Sequence, residues 1–179
     1  MKQLIAFDLD GTLAESKQPV DPAMAHLIAK LLDLVRVAVI SGGDWPQFET
    51  QVVSRLPGKT DLRRLFILPT TGTKLYRFEG GWKPVYADVF DVDERQRILG
   101  AFKEALGEVD LAHEKIWGER IEDRGSQITF SGLGQEAPLD AKKAWDPDFA
   151  KRKALQAALL SRLPELSVNV GGSTSIDIT

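Results

Sequence analysis

Apolar and polar positions alternate along this chain in two rhythms, one of short unbroken runs and one of helical spacing. Leu4-Ile5-Ala6-Phe7 is an apolar run that stops at Asp8, which predicts a buried strand of a parallel sheet. Asp21-Pro22 reads as a helix start, an N-cap followed by proline at the first helical position. Met24, Leu27, Ile28, Leu31, Leu32 and Val35 then recur with the helical period. Val37 to Ile40 is a second buried run, followed by Ser41-Gly42-Gly43-Asp44 and a helix through Phe48, Val52, Val53 and Leu56. Strand, helix and strand in about thirty residues make one βαβ unit and imply a parallel sheet. A third run, Leu65 to Leu68, precedes a hairpin: Lys74 to Phe78, the turn Glu79-Gly80-Gly81, and Trp82 to Val85.

The rhythm changes near residues 86 to 91. Asp91 and Glu94 form a capping-box pattern ahead of Ile98, Phe102, Ala105 and Leu106. Arg120 to Arg124 and Gln127 to Phe130 flank Gly125-Ser126 as a hairpin. Asp146-Pro147 predicts the start of an Ala- and Leu-rich helix running to about Leu163. Two more strands, Leu166 to Val170 and Thr174 to Ile178, surround Gly171-Gly172. Helix, hairpin, helix, hairpin describes an open α+β layer. The expected organisation is therefore an α/β region over residues 1–87 and an α+β region over residues 88–179.

Composition narrows this picture by exclusion. The chain has 179 residues, 43% hydrophobic and 27% charged, as ordinary globular proteins do. A net charge of −3 carries no basic footprint, so no nucleic-acid partner is expected. No apolar run is long enough to span a membrane, and no membrane partner is expected. Without cysteine there are neither disulfides nor thiolate metal sites, and the expected compartment is the cytoplasm. His26, His113, the four tryptophans, and Lys151, Arg152 and Lys153 read as core or surface residues.

The chemistry concentrates at the end of the first run. Asp8 and Asp10 lie one residue apart at a predicted strand's carboxyl end, where open α/β sheets build their sites. Two carboxylates this close repel. A polyvalent cation removes that cost, and Mg²⁺ is the usual choice for oxygen ligands. Gly11 permits a sharp turn, and the Thr12 hydroxyl can bond across it. At the end of the second run, Ser41, Gly42 and Gly43 can present a hydroxyl and backbone N–H groups to an anion at a helix start. The same residue types also make an ordinary strand-to-helix turn.

Asp8-Leu9-Asp10-Gly11-Thr12 resembles motif I of the haloacid dehalogenase (HAD) superfamily of phosphotransferases. The resemblance implies a Rossmann-like parallel-sheet core with an α+β cap of the C2 type. It also implies Asp8 as nucleophile, Asp10 as general acid and base, Mg²⁺ at Asp8 and Asp10, and Ser41 binding a phosphate oxygen. Within the superfamily the order of elements is similar to that of the eukaryotic-type phosphomannomutases. Asp8 to Val20, Ser41 to Phe48, Pro69 to Gly72, Ile121 to Gly125 and Gly171 to Ile178 carry that likeness. It implies that Arg124 holds a substrate phosphate, that Ser175 and Asp177 contact the sugar or its phosphate, and that Lys17 stands in for a substrate arginine. Ser175 and Asp177 should share one strand face, opposite Ile176 and Ile178.

The chain also departs from that pattern. Gln135 replaces a second phosphate-binding arginine, and Thr71 stands where those mutases have asparagine. The family's downstream lysine and acidic pair have no counterpart before Thr179. The expectation is a chain lacking the C-terminal part of the core, with the Asp8 strand as an exposed edge. Self-association or a partner chain would complete the sheet. The reading drawn from the resemblance is Mg²⁺-dependent hydrolysis of a sugar phosphate through an aspartyl-phosphate. The alternatives are a hexose-phosphate mutase and a non-catalytic sugar-phosphate-binding or regulatory protein. A phospho-acceptor receiver domain fits worse, because it would need an acidic pair ahead of an internal strand-end aspartate.

Overall fold

A computed structural model of the chain describes residues 3–15, 17–109, 111 and 115–179. His113 lies outside the described residues. The chain divides into two compact units, Met1–Asp88 and Val89–Thr179.

The first unit carries a five-stranded sheet of order β1-β2-β3-β4-β5. Its strands are β1 (Leu4–Asp8), β2 (Arg36–Ile40), β3 (Leu65–Leu68), β4 (Lys74–Phe78) and β5 (Trp82–Ala87). β1, β2 and β3 run parallel, with Asp8 opposite Ile40 and Ile40 opposite Leu68, so the strand ends that lead to chemistry lie side by side. β4 and β5 add an antiparallel hairpin. Helix α1 (Pro22–Leu34) starts as its sequence predicts: the Asp21 carboxylate accepts the Met24 N–H at 2.8 Å. It buries Ala25, Ile28 and Leu32. These join Val37, Val39, Leu65, Ile67, Phe48 and Val52 in one core. Each large aliphatic side chain removed from water there contributes about 1.5–3 kcal/mol.

Two expectations drawn from apolar spacing need correction. β1 is not buried; it is the exposed edge strand that the family resemblance leads one to expect. Among the described residues its only neighbour strand is β2, and Leu4, Ala6 and Asp8 are exposed, while Ile5 and Phe7 are half-buried. An apolar run alone does not distinguish a central strand from an edge strand. The helix after Ser41 is also shorter than its apolar spacing suggests: α2 (Trp45–Gln51) gives way to a 3-10 turn, Val53–Arg55.

The second unit packs helices against one face of a four-stranded antiparallel sheet of order β6-β7-β9-β8. Helix α3 (Val92–Glu108) has a complete capping box: the Glu94 N–H donates to Asp91 at 2.8 Å, and the Asp91 N–H donates to Glu94 at 3.0 Å. Strands β6 (Ile121–Asp123) and β7 (Ile128–Ser131) follow. The Asp146-Pro147 start is corrected by the structure. Helix α4 (Leu139–Trp145) precedes that dipeptide, and α5 (Ala150–Leu160) begins only after Phe149, which adopts a left-handed φ of 64°. Asp146 still serves the α5 amino end from outside, accepting the Lys151 and Arg152 backbone N–H groups at 3.0 and 3.1 Å. β8 (Val168–Gly171) and β9 (Ser175–Ile178) close the sheet. Ile128, Phe130, Ile176 and Ile178 are fully buried on its helix side, with Ile98, Phe102, Leu155 and Leu159.

Candidate functional site

The turn after β1 is built from its own backbone. Gly11, at φ 80°, donates its N–H to the Ala14 carbonyl at 2.7 Å, and the Leu13 and Ala14 N–H groups return to the Leu9 carbonyl at 3.0 and 3.1 Å. Side chains with Cβ rarely adopt that φ, which is why glycine stands there. The turn lifts the two aspartates into different environments. The Asp8 carboxylate is exposed and accepts no hydrogen bond among the described residues.

The Asp10 carboxylate is caged. Its Oδ1 accepts the Lys17 backbone N–H at 2.8 Å, and its Oδ2 accepts the Ser41 hydroxyl at 3.0 Å and the Gln47 carboxamide at 3.2 Å. Three donors fix the orientation of this acid, while Oδ1 keeps a lone pair for a proton. Lys17 supplies that contact from a left-handed φ of 60°, with its side chain exposed.

Gln47 was not singled out in the sequence. It lies on α2, one helical turn before Gln51, to whose Oε1 it also donates at 3.0 Å. No sequence signal marks it; in the structure a Cβ on Gly43 would lie 1.8 Å from the Gln47 Oε1. Gly43 thus makes room for the carboxamide beside Asp10. At the α2 amino end, the Trp45 N–H donates to the Asp44 carboxylate at 2.8 Å, so Asp44 satisfies the first free N–H of the helix. Asp44 is tied in turn to the buried Lys74 ammonium at 2.8 Å. Trp45 stacks on Tyr76 with ring centroids 4.5 Å apart, and burial pushes the Tyr76 hydroxyl up from its ordinary range.

The loop after β3 completes this corner. The Thr70 N–H donates to the Gly43 carbonyl and the Thr71 N–H to the Ser41 carbonyl, both at 2.9 Å. Thr70 and Thr71 are left-handed, at φ 49° and 59°. For β-branched residues this conformation is strained, by about 1–3 kcal/mol each.

In the second unit, alternation places Glu122, Arg124, Gln127, Thr129, Ser175 and Asp177 on the sheet face away from the apolar core. Arg124 pairs with Glu122 at 2.7 Å. Asp177 Oδ1 accepts the Thr129 hydroxyl at 2.7 Å and the Gln127 carboxamide at 3.1 Å. Burial pushes the Asp177 carboxyl above the ordinary range, against the lowering pull of Thr129 and Arg124. Ser175 is half-buried on the same face. The Nε2 of Gln135 is buried without a hydrogen-bond partner among the described residues, an amide donor held out of water with no acceptor.

The donor chemistry of the first corner suits a hard divalent cation, since Asp8, Asp10, Ser41 and Gln47 offer oxygen or amide groups and the Asp8 carboxylate accepts no hydrogen bond among the described residues. Among the described residues, no three acidic or imidazole side chains gather to hold a metal.

Comparison with known proteins defines the class first. The fold is that of HAD-like hydrolases. A Plasmodium falciparum IMP-nucleotidase matches with a TM-score of 0.65 at 14% identity, over 98% of this chain and 52% of that one. A haloacid dehalogenase-like hydrolase from Bacteroides thetaiotaomicron matches with a TM-score of 0.58 at 16% identity, over 100% of this chain and 71% of that one. The nearer likeness, in sequence, is to phosphomannomutases. A probable phosphomannomutase of Caenorhabditis elegans is 22% identical over 192 residues, 99% of this chain and 71% of that protein. The phosphomannomutase of Encephalitozoon cuniculi is 25% identical over 184 residues, 98% of this chain and 69% of that protein. The chain thus spans about half the length of the nucleotidase and about 70% of the length of these mutases. No family model matches. The chain has the HAD-like fold and resembles the phosphomannomutases. Among the described residues, no helix is long and apolar enough to cross a membrane.

Proposed function

We propose that this protein transfers a phosphoryl group from a phosphorylated sugar through a covalent intermediate on Asp8. The observation that carries the reading is the contrast between the two aspartates: an exposed carboxylate with no hydrogen bond among the described residues, beside one caged by Lys17, Ser41 and Gln47. The first is free to attack; the second is held as a proton carrier.

In the proposed reaction an Asp8 oxygen attacks phosphorus as the bond to the sugar oxygen breaks. Asp10 gives that oxygen its proton. Asp10, which enters the cycle carrying a proton, then takes a proton from water, whose oxygen attacks phosphorus as the bond to Asp8 breaks; this restores the Asp8 carboxylate and the protonated Asp10. Ser41 can turn its hydroxyl from Asp10 to a phosphoryl oxygen, since one proton serves one acceptor at a time. Mg²⁺ would be held by the Asp8 carboxylate and the Asp10 backbone carbonyl and would supply charge neutralisation. Arg124, Ser175 and Asp177 are the proposed substrate contacts of the second unit, with Lys17 as a further cation in the first. The buried Gln135 donor suits a sugar or phosphate oxygen.

Sugar-hydroxyl attack in place of water would make the protein a mutase. The sequence likeness to phosphomannomutases favours that second reading. The test is an assay of the protein, expressed from its complete coding sequence, with Mg²⁺ and a panel of hexose phosphates. Phosphate release abolished by Asp8→Asn supports the hydrolase; isomerisation without net release supports the mutase. Neither activity, with a sugar phosphate still bound, overturns phosphoryl transfer.

A further inference from the structure

At the other end of the first unit's sheet, four arginines line one open cavity of about 510 Å³ with Asp61 and Phe66. Arg36 begins β2, Arg63 and Arg64 lead directly into β3, and Arg77 faces Phe66 across the β3–β4 ladder. This is the amino-terminal end of β2 and β3, whereas Asp8 and Ser41 lie at the carboxyl ends of β1 and β2.

Three of the guanidinium groups are positioned by local contacts. Arg63 grips Asp61 in a fork, Nε to Oδ1 at 2.8 Å and Nη2 to Oδ2 at 3.1 Å. Arg64 donates Nη1 to the Leu32 and Asp33 carbonyls at the α1 carboxyl end, at 3.2 and 2.9 Å. Arg77 lies over the Phe66 ring, 5.4 Å from its centroid. Arg36 is exposed and makes no hydrogen bond or ion pair through its side chain among the described residues. Four arginines face one carboxylate, on a chain whose net charge is −3. Such a concentration of positive charge at one spot of an acidic protein calls for a counter-anion.

We propose that this cavity is a binding site for a small oligophosphate anion, a ligand with two or more linked phosphate groups such as a nucleoside di- or triphosphate carries. Guanidinium forks match phosphate oxygens two at a time, and stacked or backbone-anchored arginines lose little freedom on binding. Once Asp61 has neutralised Arg63, three positive charges remain, which exceeds the charge of a single phosphate group. The cavity volume lies in the range of small-molecule sites. The site is separate from the proposed chemistry at Asp8 and does not depend on it.

The test is calorimetric titration of the full chain with inorganic tripolyphosphate, at two salt concentrations, beside orthophosphate. Saturable tripolyphosphate binding that weakens with salt is expected. The double variant Arg36→Gln/Arg77→Gln should weaken it about tenfold or more. Both residues are exposed, so the variant should melt with the parent. Ser41→Ala should leave tripolyphosphate affinity unchanged, and this separates the site from any phosphate bound at the Asp8 end. Binding that is absent, insensitive to the double variant, or lost with Ser41→Ala overturns the proposal. So does a short RNA bound more tightly than tripolyphosphate through the same arginines.

Discussion

Replacing Arg152 by methionine should unfold much of the second unit's stability reserve. The Arg152 side chain is 2% exposed and that of its partner Asp146 is 0% exposed, with Nε 2.7 Å from Oδ2. Nη1 also donates to the Gly171 and Gly172 carbonyls at 3.1 and 2.7 Å, and Nη2 to the Asp146 carbonyl at 3.1 Å. Methionine fills most of the space but leaves a buried carboxylate without its cation and takes the guanidinium donors from three carbonyls, of which that of Asp146 keeps the Phe149 N–H at 3.3 Å. Breaking a buried pair in this way costs about 3–5 kcal/mol, against a total stability of about 5–15 kcal/mol for a typical domain.

The pH dependence gives the sign. Burial alone would raise the Asp146 carboxyl; the Arg152 hydrogen bond, with the Lys151 and Arg152 backbone N–H groups, outweighs it and holds the acid below the ordinary range. The parent therefore has this stabilisation in full above the unfolded aspartate value, near 3.9, and loses it as pH falls through the lower folded value. In Arg152→Met burial goes unopposed by the guanidinium, so protonation relieves the variant. Urea unfolding at pH 7 and at pH 3 to 4 should show the gap between parent and variant narrowing in acid. A loss under about 1 kcal/mol at pH 7, or a gap that does not narrow, refutes the reasoning.

Three further outcomes follow from the geometry. Thr71→Asn should stabilise the first unit by about 1 kcal/mol in urea unfolding, because asparagine tolerates the left-handed φ of 59° that threonine resists. Asp177→Asn should stabilise the second unit at neutral pH: burial raises this carboxyl, so the parent loses stability as pH rises from the unfolded value through the folded one, and the variant should show no such fall. Gly43→Ala should cost less than about 1 kcal/mol, since the clashing atoms are the mobile end of Gln47, and a crystal structure should show that carboxamide turned away from Asp10.

Much of this architecture was legible in the sequence, for identifiable reasons. The Asp21 and Asp91 caps are local signals read by adjacent backbone, and tertiary context does not override them. Ser175 and Asp177 share a face because strand period is fixed. The α4–α5 break was not legible, because Asp146 caps α5 through space, five and six residues away, while Phe149 turns left-handed between them. The exposure of Leu4 and Ala6 follows from β1 having a single neighbour strand among the described residues, which the apolar run does not encode; the expectation of an exposed edge came from the family resemblance instead. At the site, Asp10 and Ser41 announced themselves by type and spacing. Gln47 did not, since a glutamine on a helix has no signature until Gly43 brings it against Asp10. Gln127 and Thr129 were likewise hidden, as polar residues whose role rests on the cross-strand partner Asp177.

The most direct test of phosphoryl transfer through Asp8 is mass spectrometry of the protein from its complete coding sequence, quenched in acid within its first turnover with Mg²⁺ and each of a panel of hexose phosphates. The account predicts one added phosphoryl group, mapped to Asp8 and absent from Asp8→Asn. Turnover of a hexose phosphate that persists in Asp8→Asn, or a phosphoryl group mapped to another residue, would contradict it.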